Sequence, residues 1–150
     1  MKTFGMALVG YLVMFVVLFA TLTAMYFGLG SEQTFLPGSY AVTPLWMAVF
    51  CFFQFDAGLV AGLVVSMLSR DRRVPRMLAV MTMVLGILMA LPAVLGTVPA
   101  AAPRTGSVTN LDAMMQAQTP LWIQLIAPAL AALGVLAGAM LMSLATRRRA

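Results

Sequence analysis

Few residues in this chain are able to do chemistry. It has four carboxylates (Glu32, Asp56, Asp71 and Asp112), a single thiol at Cys51, and no histidine. Without histidine there is no His-ligated haem, no His-containing zinc site, and no Ser-His-Asp or Cys-His pair. One cysteine makes neither an internal disulfide nor a multi-thiolate metal site. A lone carboxylate without a nucleophile, metal or oxyanion site is a poor start for catalysis. The expectation is a non-catalytic protein with no cofactor and no metal.

Asp56 is the most informative of these residues, because it sits in the middle of an apolar run. A charge at the bilayer centre costs about 2.5–3.5 kcal/mol even on the lenient insertion scale. Two functional readings fit such a residue: a proton or cation site, or a contact to a polar group on another chain. The structural alternative is a neutral carboxyl bonded to a backbone carbonyl. At about 100° per residue, Asp56 points about 160° away from Gly58 on the same helix. Gln54 shares the Gly58 face, in a stripe with Gly62 and Ser66. Interhelical hydrogen bonding is the expected role of Gln54, and a substrate-lined cavity is the sharper alternative. Gln124 is expected near the membrane surface.

Fourteen methionines raise a copper(I) reading, since thioethers suit that ion. They are spread over every apolar segment and no histidine joins them, so flexible gap-filling is the better account.

The elements that hold these residues follow from composition. Apolar side chains make up 63% of the 150 residues and charged ones 9%. A soluble domain carries about 45–50% and about 25%. The fold class expected is an all-α integral membrane protein. Four stretches reach the roughly 20 residues that a spanning helix needs: 4–27, 44–68, 77–98 and 120–145. Two begin alike, with Thr43-Pro44 and Thr119-Pro120, a cap followed by a residue suited to the first turn. Pro92 and Pro128 lie inside the third and fourth spans. The first apolar run is longer than the roughly 7–15 residues of a signal peptide, which makes a retained helix the expectation.

Basic residues set the orientation. Lys2, Arg70, Arg72, Arg73, Arg76 and Arg147 to Arg149 fall on one side, and only Arg104 on the other. Both termini and the 70–76 loop are therefore expected in the cytoplasm. The net charge of +5 is a topology signal, and no groove-reading element accompanies it. The partners expected are the lipid bilayer, through its anionic headgroups, and other membrane subunits or further copies, with no nucleic acid. A single lysine beside abundant alanine and arginine leans toward a bacterial cytoplasmic (inner) membrane.

The chain also repeats itself. Thr-Pro-Leu-Trp occurs at 43–46 and again at 119–122, an offset of 76. The same offset pairs Gly10 with Gly86, Gly30-Ser31 with Gly106-Ser107, Gly58 with Gly134, Ala61-Gly62 with Ala137-Gly138, and Arg72-Arg73 with Arg148-Arg149. Residues 1–76 and 77–150 are expected to be two tandem hairpins, related as parallel repeats by an axis along the membrane normal. Gly58-x-x-x-Gly62 and Gly134-x-x-x-Gly138 would then let two parallel helices cross closely.

Trp46 and Trp122 are expected as interface anchors. Leu-Pro-Gly-Ser at 36–39 reads as a turn, and 99–103 as an extended spacer. Asn110 would cap a short surface helix with Asp112 in its first turn and Leu111, Met114 and Met115 on one side. Taken together, the residues favour an accessory or assembly subunit of a larger membrane complex. The alternative is a small oligomeric transporter or channel, proton- or cation-coupled through Asp56.

Overall fold

A computed structural model describes residues 2–69, 71–97, 103, 109, 112 and 115–147. The elements among the described residues are all helices, with no strand. Helix α1 covers Lys2–Leu29, and a single turn, α2, covers Ser31–Thr34. They are followed by α3 (Pro44–Leu68), α4 (Arg73–Val94) and α5 (Leu121–Arg147). All except α2 are long and apolar enough to cross a membrane.

The helix limits differ from the expected spans by one to four residues in every long helix except α3. α4 begins four residues earlier than position 77, taking Pro75 and Arg76 into its first turn. Asp71 makes this possible, because its carboxylate accepts the Arg73 backbone N–H at 2.9 Å. That bond satisfies one of the donors a helix start leaves open. α3 begins as its sequence implies, with the Thr43 hydroxyl accepting the Trp46 N–H at 3.2 Å and Pro44 following the cap.

Helices α3 and α5 form the most extensive contact in the bundle, followed by α4 with α5 and α1 with α3. α1 also packs on α4, whereas α3 and α4 touch only slightly.

Glycines make the α3–α5 seam. A Cβ on Gly58 would fall on the Ala131 carbonyl, 2.9 Å from its carbon, and one on Gly62 would fall on the Val135 carbonyl, at 2.8 Å. In return, Gly134 lies on the Phe55 carbonyl and Gly138 on the Leu59 carbonyl. Both contact series rise in number together, so the two helices run parallel. Each glycine takes the carbonyl three residues before its partner glycine, and does not meet that glycine head-on. The hydrogen in place of the missing Cβ points toward an oxygen, an arrangement worth about 0.5–1 kcal/mol each.

Two further close approaches tie the outer helices to this pair. Gly10 of α1 leaves room for Leu78, whose Cδ2 lies 2.7 Å from where a Cβ would stand. Gly86 of α4 receives the ring of Pro128, with Cγ at 2.8 Å from the same position. The buried core between the helices is built of small residues, Ala7, Ala57, Ala61, Ala131 and Val135 among them.

The end opposite the arginines is closed by an aromatic cluster. Tyr26 meets Trp46 edge-on at 6.3 Å, and Phe35 meets Tyr40 at 5.7 Å. Residues 36–39 form the expected turn: Ser39 N–H donates to Leu36 O at 3.1 Å, and Gly38 has φ +67°. That is a type II turn, with proline at its second position and a positive φ at its third. Gln118 joins the two long connections, donating its N–H to Tyr40 O at 2.9 Å.

Candidate functional site

The seam fixes where every other side of α3 points. With Gly58, Ala61 and Gly62 against α5, Asp56 falls on the opposite side and is partly exposed on the outer surface of the bundle. Phe52, one turn away, is 64% exposed. No hydrogen bond or ion pair links Asp56 to any described residue. It lines neither of the two cavities described below.

Gln54 lies on a different side of the same helix and lines a cavity of about 280 Å³ among all four long helices. Tyr11 and Phe15 contribute from α1, Thr82 and Gly86 from α4, and Gln124 and Pro128 from α5. No charged side chain lines it among the described residues. Gln124 is half-buried, and its side-chain N–H donates to Thr119 O at 3.0 Å.

Thr82 is the unusual member of this wall. It is 4% exposed, and its hydroxyl is buried with no hydrogen-bond partner among the described residues. Threonines in helices normally return their hydroxyl to a carbonyl one turn back. Thr21 does so, bonding to Val17 O at 2.8 Å. Among the described residues, this wall offers hydroxyl and amide groups for hydrogen bonding to a neutral group. Tyr11 and Thr82 did not stand out in the sequence; the one signal was that Thr82 is the single hydroxyl of α4.

Comparison with known family models, curated proteins and solved structures finds no match. The reading of the site therefore rests on its own geometry.

The two tryptophans differ in place. Trp46 is 9% exposed and packed in the aromatic cluster, while Trp122 is 54% exposed. Trp122 faces outward, whereas Trp46 packs edge-on against Tyr26. In the second long connection, Thr109 makes the capping contact: its hydroxyl accepts the Asp112 N–H at 3.2 Å and donates to the Asp112 carboxylate at 2.6 Å. Asn110, Leu111, Met114, most of the 99–103 spacer and Arg148 to Arg149 lie outside the described residues.

Proposed function

We propose that this chain is a non-catalytic integral membrane protein, an accessory or assembly subunit of a larger membrane complex. It meets its partner through the face of α3 that carries Asp56. The four apolar helices fit an integral membrane protein. One observation carries the subunit reading: a carboxylate halfway along an apolar helix, partly exposed on the outside, with no bonding partner among the described residues. In hydrocarbon such a group is costly. A polar or basic group on a neighbouring subunit removes that cost.

The same reading takes residues 1–76 and 77–150 as a fused pair of parallel hairpins. The offset of 76 supports it, because it recurs in the contacts: Gly58 on Ala131 and Gly134 on Phe55 are one relation applied twice. It also places both termini and the 70–76 loop in the cytoplasm, and the protein in a bacterial inner membrane.

The alternative, an oligomeric proton- or cation-coupled carrier or channel, draws on the same residue. An outward Asp56 would then meet another copy of the chain. Purification in a mild detergent followed by mass measurement separates the two. Stoichiometric foreign subunits support the first reading, and a pure homo-oligomer supports the second.

A further inference from the structure

At the arginine end, an open groove of about 650 Å³ lies between the end of α3, the 69–72 connection, the start of α4 and the last turns of α5. Its two halves differ in chemistry. Arg72 and Arg76 line it at the rim, with the hydroxyl-bearing Ser66, Ser69 and Ser143 beside them. Further along α5, toward the middle of the bundle, its wall is Leu136, Ala139 and Met140.

Arg72 and Arg76 are four residues apart, one helical turn, so they stand on one side. Neither is paired with a carboxylate among the described residues. Asp71 also lines the groove, but its carboxylate is held elsewhere. One oxygen accepts the Arg73 N–H at 2.9 Å, and the other accepts the Thr3 hydroxyl at 3.5 Å. Two guanidiniums against one engaged carboxylate leave the rim positive. The Ser66 hydroxyl is buried there with no partner among the described residues.

We propose that this groove binds one anionic phospholipid, its phosphate on Arg72 and Arg76 and an acyl chain along Leu136, Ala139 and Met140. Guanidiniums match phosphate oxygens in a bidentate fork. A basic rim above an apolar wall suits a lipid better than a free anion, which has nothing to lay against Met140. The inference rests on the membrane-spanning reading of α3 to α5 but not on any partner subunit.

Native mass spectrometry of the detergent-purified protein tests it, with phosphatidylglycerol, phosphatidylcholine or inorganic phosphate added. Wild type should retain one phosphatidylglycerol per chain in preference to phosphatidylcholine, undisplaced by millimolar phosphate. Each arginine near the surface is worth about a fivefold effect, so Arg72→Gln with Arg76→Gln should weaken retention about 25-fold. Arg73→Gln, one residue outside the groove, should retain the lipid. Met140→Trp should lose it without any change of charge.

Equal loss on Arg73→Gln, unchanged retention in the double variant or in Met140→Trp, or displacement by phosphate would each overturn the site. Failure of the membrane reading looks different: the protein would then stay in solution without detergent.

Discussion

Gly58 of α3 lies so close to the Ala131 carbonyl of α5 that no side chain fits between them. Adding 76 to Gly58 and subtracting it from Ala131 gives Gly134 against Phe55, and that contact is present too. Gly62 with Val135 and Gly138 with Leu59 repeat the relation one turn on. The contacts of this seam follow the sequence offset, so its two sides correspond in position.

Stability should report that equivalence. Gly58→Ala and Gly134→Ala each push a methyl into a backbone carbonyl, and overpacking costs about 1–3 kcal/mol. Thermal unfolding in detergent should show similar losses for the two. Gly5→Ala, where a Cβ meets nothing, should stay within about 0.5 kcal/mol of wild type. A large loss at Gly58 with none at Gly134 would break the equivalence.

Removing a buried hydroxyl that bonds to nothing should help. Thr82→Val keeps the shape of the side chain and deletes the orphan oxygen, whose burial costs about 1–3 kcal/mol. The variant should unfold at a higher temperature than wild type. A lower one would mean that the hydroxyl has a partner in the membrane-bound protein.

Much of this architecture was readable because it follows from length and residue type. Four apolar runs of sufficient length gave four long helices, and Thr43 with Pro44 marked the start of one. The faces were harder to read. In water an amphipathic stripe tells inside from outside, but here lipid and core are both apolar. On α1, exposed Leu12, Phe15 and Phe19 differ from buried Ala7, Gly10 and Met14 by little more than shape. Glycine spacing pointed to Gly58, Gly62, Gly134 and Gly138 but carried no sign of the three-residue stagger that sets each against a carbonyl. Nor did it separate Trp46 from Trp122, which share a tetrapeptide. Their environments differ because Tyr26 and Phe35 stand beside one and not the other.

Topology is open to a direct check. In a Cys51→Ala background, a cysteine at exposed Pro37 should react with a membrane-impermeant maleimide added to intact cells. A cysteine at exposed Arg72 should react only after the cells are opened. Labelling at Arg72 in intact cells would invert the orientation.

Substitutions at Asp56 separate the two functions. Asp56→Asn keeps size and hydrogen-bonding ability, and assembly should survive it. Asp56→Leu should weaken assembly with folding intact, because the carboxylate makes no hydrogen bond or ion pair with a described residue. In a coupled carrier, Asp56→Asn would abolish transport and leave assembly unchanged. If both variants assemble and function like wild type, the acid has neither role.

Phe52 offers the most direct view of what faces Asp56, being one turn away and 64% exposed. A photo-crosslinking amino acid placed there in the full chain, in living cells, reports the neighbour at that depth. The account predicts a single cross-link to a different membrane polypeptide, present in fixed stoichiometry, lost in Asp56→Leu and kept in Asp56→Asn. Cross-links only to lipid or to copies of the same chain, or a foreign cross-link indifferent to Asp56→Leu, would contradict it.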